Sequence, residues 1–379
     1  MKIKTIYLVV LSLAIFALAA MACGSSGGTY KIGLLSPQTG PIAVYAPGFE
    51  DAANVAIAEL NDNEEGNVFE LVVVDSGCDG TQAATAAQTL IDSGVVGIVG
   101  AACSGATLGA IAVAAEAGIP MVSYASTSPA VTTASDNGYL FRVVPSDAQQ
   151  AIALTAVVAD GGDTNPAVVY MTNDYGSGLA DNFAANWSGD ACTTNAYDPT
   201  EGSYDASTIA QSVIDAGCDS AVLISYATDG AAIIEALKGQ GFSGTIYGAD
   251  GIADAAFADA FTDAAAVAGV IATKPRPGAE SSVQATFNSA YSAAGGDAEG
   301  IYTHETYDAV KIIAHAALEG SDDIRDDLAS VGSNYDGASG VHTFDSNGDV
   351  AGTGYEVCQF DPAFTCTRVW TASGGLASQ

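Results

Sequence analysis

Apolar stretches of strand length alternate with amphipathic stretches of helix length along most of this chain, and that alternation leaves few folds open. Apolar runs at 30–36, 69–75 and 95–99 are separated by helical patterns over 49–61 and 81–93. Strand–helix repeats at this spacing predict a parallel sheet covered by helices, because a parallel pair needs a long crossover. The series restarts after Phe141-Arg142-Val143-Val144-Pro145 with helix 147–160, strand 166–171, helix 176–188, strand 191–197, helix 206–216, strand 219–225 and helix 229–239. This reads as a second doubly wound lobe. After Thr273-Lys274-Pro275-Arg276-Pro277, helices over 281–294 and 303–318 read as a return to the first lobe, and two short β runs within 352–370 as closure of the second. The expected fold is therefore α/β, with two doubly wound parallel-sheet lobes joined by a multi-crossover hinge. The first lobe is expected over 30–145 plus 276–346, the second over 146–275 plus 347–379. A length of 379 residues suits two such units.

The N-terminus sets the expected compartment. Met1-Lys2-Ile3-Lys4 is a basic start, 6–20 an apolar core and Ala20-Met21-Ala22 a small-x-small cleavage pattern, so 1–22 reads as an export signal. Cys23 and a Gly/Ser tether to residue 29 follow, an arrangement similar to a lipoprotein signal with Cys23 as the lipid-bearing residue. The alternatives are plain cleavage or an uncleaved anchor. Seven cysteines leave one over, and Cys23 is the natural odd one. The other six fall into short-span pairs: Cys78 with Cys103, Cys192 with Cys218, and Cys358 with Cys366. Three disulfides imply an oxidising, extracytoplasmic setting. No CxxC occurs and only His304, His315 and His342 are available, which argues against a metal site. Ten Lys+Arg against 44 Asp+Glu give a net charge of −34, so nucleic acid and anionic membrane surfaces are poor partners. The acids are spread along the chain and read as a solvated shell suited to saline surroundings.

Two turns concentrate the chemistry. The strand 95–99 leads into Ala102-Cys103-Ser104-Gly105, and one βα unit later comes Tyr124-Ala125-Ser126-Thr127-Ser128-Pro129. Hydroxyls and free backbone N–H groups at a strand-to-helix turn form an anion site, and a second such turn beside it adds hydroxyls and a carbonyl. The pair suits a small zwitterion, although helix capping by Ser104 and Thr127 explains either turn taken alone.

In order and spacing, Gly40-Pro41-Ile42-Ala43-Val44-Tyr45, Asp75-Ser76-Gly77-Cys78-Asp79, Cys103-Ser104, the 125–129 turn, Asp174-Tyr175-Gly176-Ser177-Gly178 and Thr273-Lys274-Pro275 resemble the periplasmic leucine/isoleucine/valine-binding proteins. These are the type I solute-binding components of ABC importers. The resemblance covers nearly the whole mature chain. It implies a clamshell that closes on a small, neutral aliphatic amino acid and presents it to a membrane permease, as a monomer and without a cofactor. Ser104 is implied to take the ligand carboxylate and Thr127 to share it, within a turn that includes Ser126. The Ala125 carbonyl, Thr127 and Asp250 are implied to hold the ammonium; Asp250 stands where the family typically has Glu. Tyr45, Tyr175, Tyr226 and Tyr302 are the implied aromatic walls, and Ala102 replaces a larger aliphatic residue. Short amides or urea-like solutes are the alternative ligands, and a sensor without transport the alternative role. An exported hydrolase using Ser104 ranks lower: no GxSxG, HExxH, P-loop or GxGxxG is present.

Overall fold

The structure is a computed structural model that describes residues 27–379 apart from 65, 201, 298, 299, 322 and 362. The expected leader 1–22 and Cys23 lie outside the described residues. Five strands, β1 (Thr29–Ser36), β2 (Val68–Asp75), β3 (Gly97–Val99), β4 (Met121–Ser123) and β5 (Leu140–Arg142), form a parallel sheet in the order β2-β1-β3-β4-β5. A second sheet contains β6 (Pro166–Met171), β7 (Thr193–Tyr197), β8 (Ser220–Ile224), β9 (Thr245–Gly248) and β10 (Ile271–Pro275), parallel and in the order β10-β9-β8-β6-β7. A separate hairpin joins β11 (Ser333–Asp336) to β12 (Val341–Thr343). β13 (Tyr355–Phe360), β14 (Phe364–Thr371) and β15 (Gly375–Ser378) extend the second sheet antiparallel beyond β10. The two expected doubly wound lobes are present.

The hydrophobic pattern explains the layering. Every residue of β8, Ser-Ala-Val-Leu-Ile, is buried, as expected of a parallel strand covered on both faces. The helix Thr303–Glu319 buries ten residues and packs on β1, β3, β4 and the helix Ala46–Asn63, so this late segment finishes the first lobe. The helices Gly80–Asp92 and Ser104–Glu116 approach closely at a pair of glycines. A Cβ on Gly109 would lie 2.1 Å from the Gly80 carbonyl oxygen, so a side chain there would force the helices apart.

Disulfides join Cys78 to Cys103, Cys192 to Cys218 and Cys358 to Cys366. The first ties together the loops that open those two close-packed helices. The last spans register partners of β13 and β14. The helix Ile324–Val331, the β11–β12 hairpin and β15 go beyond the sequence expectation; all are short, and the hairpin and β15 are mostly exposed. Among the described residues no helix is long and apolar enough to cross a membrane.

Candidate functional site

Parallel strands of both sheets point their carboxyl ends at one cleft, the position where open α/β sheets present loops to ligands. Ala102 and Ser104 follow β3 and Ala125 follows β4; from the other sheet, Tyr175, Tyr226 and Asp250 follow β6, β8 and β9. Tyr45 and Tyr302 complete the wall with Ile42, Phe49, Gly251 and Ile301. Ser126 and Thr127 are not brought to that wall. The Ser126 hydroxyl bonds inward to the carbonyls of Ala101 and Ala102, at 3.0 and 3.2 Å, and to the Thr107 hydroxyl at 2.7 Å. Thr127 is buried, and its hydroxyl meets no hydrogen-bond partner at normal geometry among the described residues.

One side of the cleft is built to receive an anion. Ser104 is the first residue of its helix, no side chain caps that helix, and the Ser104 hydroxyl accepts the Ser128 N–H at 3.2 Å. The N–H groups of the first turn therefore face the cleft region with the positive end of the helix dipole behind them. The turn carrying Ala125 is anchored by Arg142, a fully buried residue at the end of β5. Its Nη1 donates to the carbonyls of Ser126 and Ser128 at 3.1 and 3.0 Å, while Nε and Nη2 make a bidentate pair with Asp349 at 2.7 and 2.9 Å.

The opposite side is acidic. Tyr175 and Tyr302 donate their hydroxyls to the two oxygens of Asp250 at 2.8 and 2.7 Å, and the Tyr175 ring stacks on Tyr226 with centroids 5.2 Å apart. Tyr302 holds a left-handed backbone, φ 58°, at the start of its helix. Burial raises the pKa of Asp250, against the lowering effect of the two tyrosine hydroxyls. A second acid, Asp147, opens the helix Asp147–Asp160, a position where an acid needs no functional reason. It is fully buried, its N–H donates to the Thr127 carbonyl at 2.8 Å, and neither carboxylate oxygen has a hydrogen-bond partner among the described residues. Burial first, and then the charge of Asp250, push the Asp147 carboxyl well above its usual range, while the Thr127 side chain and the charge of Arg142 act in the lowering direction on it. A bound ammonium would offset the charge of Asp250 and favour ionisation of both acids.

The lobes touch across the cleft mouth. Pro41 accepts both the N–H and the hydroxyl of Thr228 at 3.1 Å, Ser128 donates to the Asp174 carbonyl at 2.7 Å, and Tyr45 to the Gly251 carbonyl at 3.4 Å. In this closed arrangement the walls leave a cavity of about 30 Å³, close to the volume share of one water.

Tyr226 is set by Asp229, whose Oδ2 accepts the Tyr226 N–H at 3.2 Å and the Tyr197 hydroxyl. Burial pushes the Asp229 carboxyl up to about 7. Because the folded state holds the proton more tightly than the unfolded one, Asp229 contributes fully to stability below about 3.8 and loses that contribution as pH rises through about 7. The melting temperature of Asp229→Asn is expected to show a shallower decline than wild type between those limits. Parallel slopes in thermal scans across that window would remove Asp229 from the pH dependence.

None of the histidines serves Ser104. His304 Nε2 pairs with Asn288 Oδ1 at 2.7 Å and His315 Nδ1 lies 3.4 Å from the Tyr335 hydroxyl. Ser339 and Asp308 meet the same atom, His342 Nε2, at 2.9 Å each, so this trio lacks the two-sided imidazole of a nucleophilic triad. The grouped metal-ligand atoms among the described residues are those of Glu356, Cys358 and Cys366, and the two cysteines are bonded to each other.

A family profile described as periplasmic binding protein matches residues 29–364. The chain is 25% identical over 365 residues to a leucine-, isoleucine-, valine-, threonine- and alanine-binding protein of Pseudomonas aeruginosa, covering 94% of this chain and 96% of that one. It is 28% identical over 339 residues to the Leu/Ile/Val-binding protein BraC3 of Rhizobium johnstonii, covering 87% and 91%. Among solved structures, the substrate-binding protein LivJ of Streptococcus pneumoniae in complex with isoleucine superposes with a TM-score of 0.80 at 23% identity, over 93% of this chain and 100% of that chain.

Proposed function

Because this chain belongs to the periplasmic binding protein family, a family of solute-binding receptors, we propose that it captures a small, neutral aliphatic amino acid between its lobes and delivers it to an ABC importer. The observation that carries this reading is the polarity of the cleft: an uncapped helix start at Ser104 faces a carboxylate, Asp250, held by two tyrosines. A carboxylate and an ammonium a bond or two apart match those ends. The rest of the wall is apolar or aromatic, which leaves nothing to pair a charged side chain.

Each residue then has a role. Ser104 and the N–H groups behind it take the carboxylate; the Ala125 carbonyl and Asp250 take the ammonium. Asp147, whose N–H donates to the Thr127 carbonyl, is a buried acid at that end whose ionisation a bound ammonium would favour. Tyr45, Tyr175, Tyr226 and Tyr302 enclose the aliphatic part, with Ala102 leaving it room. In the opening motion, 30–145 with 276–346 moves as one lobe and 146–275 with 347–379 as the other. Each lobe supplies half of the polar contacts, so a ligand that uses both favours the closed state. The receptor works outside the cytoplasm, and Cys23 is its point of lipid attachment.

Calorimetry against leucine, isoleucine, valine, alanine, acetamide and urea tests the ligand class. Heat with the aliphatic amino acids and none with the amides is expected; binding of the amides alone would overturn the reading. Ser104→Ala is expected to lose about tenfold in affinity, roughly 1.5 kcal/mol for one hydrogen bond to a charged group, because the helix N–H groups remain.

A further inference from the structure

Ile301 and Tyr302 also wall a second and larger cavity, of about 690 Å³, between β10 and the start of the helices Ser282–Ala293 and Thr303–Glu319. Lys274 and Glu356 in its wall are 3.7 Å apart and Gln379 donates to Glu356 at 2.9 Å, while other polar groups around it are uncommitted. The Arg276 guanidinium has no hydrogen bond or ion pair among the described residues, in a chain where 44 acidic residues stand against 10 basic ones. The Gln284 side chain is equally without a partner among the described residues. Asn288 uses its Oδ1 on His304, whose ring burial holds neutral by lowering its pKa to about 4, and that leaves the Asn288 amide N–H groups to the cavity. Glu305 lines the same space, and its carboxylate has its own backbone N–H but no other residue's side chain as a hydrogen-bond partner among the described residues.

An unpaired cation and an unpaired carboxylate around one cavity of this size describe a host for a molecule carrying both charges. We propose that this cavity is a second site for a small amino-acid zwitterion, with the carboxylate on Arg276 and Gln284 and the ammonium on Glu305. The ammonium of such a guest offsets the desolvation that pushes the Glu305 carboxyl up to about 7. Arg276 gains the fork-shaped partner its geometry suits. Tyr302 then stands between two occupants, its hydroxyl on Asp250 and its ring in both walls.

The test titrates L-leucine to millimolar concentration by calorimetry. Wild type is expected to bind two equivalents. Arg276→Gln and Glu305→Gln should each weaken the second event at least tenfold and leave the first within twofold. In an Asp250→Ala background, which silences the cleft, one equivalent should remain and be lost on adding Glu305→Gln. A single equivalent in wild type, or a second equivalent that neither substitution weakens, would overturn the proposal. Arg276 is exposed, so its variant tests the site without touching the core. Retention of two equivalents in Asp250→Ala would count against the cleft assignment and not against this cavity.

Discussion

Asp250→Ala is expected to weaken amino-acid binding a few hundred-fold or more while leaving the melting temperature nearly unchanged. In the closed cleft the ammonium is removed from water and Asp250 is its charge partner, and breaking a buried pair costs about 3–5 kcal/mol. The fold gives up little. The carboxylate lies on a turn after β9, burial alone already raises its pKa, and its loss removes a charge that pushes Asp147 upward. The hydroxyls of Tyr175 and Tyr302 lose their acceptor, which is why a small loss of stability is tolerable and a large one is not expected. Calorimetry paired with a thermal melt separates the two effects. Affinity within a few-fold of wild type would sink the ammonium assignment and favour an uncharged ligand.

Arg142→Ala should have the largest effect on the fold. Arg142 is fully buried and its guanidinium serves Asp349, Thr132 and the carbonyls of Ser126 and Ser128. Removing it leaves Asp349 with the Thr132 hydroxyl alone in place of a bidentate cation, the Ser126 carbonyl without its donor and the Ser128 carbonyl with the Val131 N–H only, at a cost of about 3–5 kcal/mol. A drop of roughly 6–20 °C in melting temperature follows for a lobe of this size. Because those carbonyls belong to the turn that carries Ala125, ligand affinity should fall as well. Asp349→Asn keeps a hydrogen-bonding partner and should cost less than half as much. Equal losses in the two variants would mean that the charge, and not the anchored turn, is what matters.

The sequence reveals what is local and hides what is brought together. Tyr175 and Tyr226 are legible as cleft residues because each sits at the end of an apolar strand, beside a turn. The helices 281–294 and 303–318 are legible by periodicity, and the structure places them at Ser282–Ala293 and Thr303–Glu319. Ser126 and Thr127 are harder: adjacent hydroxyls in a turn look equally available, yet the chain twists Ser126 onto the Ala101 and Ala102 carbonyls. Asp147 and Arg142 are harder still. One reads as a first-turn helix acid and the other as a strand residue, and their importance comes only from contacts with Thr127 and Asp349, which local pattern does not encode. β4 and β5 have three residues each, too few to show a period.

The position of the helix Thr303–Glu319 has a consequence for how the protein is made. It covers β1, β3 and β4, yet it leaves the ribosome only after the whole parallel part of the second sheet. The first sheet therefore waits, one face partly bare, while its neighbour is synthesised. An N-terminal fragment ending at β5 lacks the layer that would finish it. The early half of this chain depends on the late half for its own completion, and nascent chains of increasing length should gain protease resistance in the first sheet only once residue 319 has emerged.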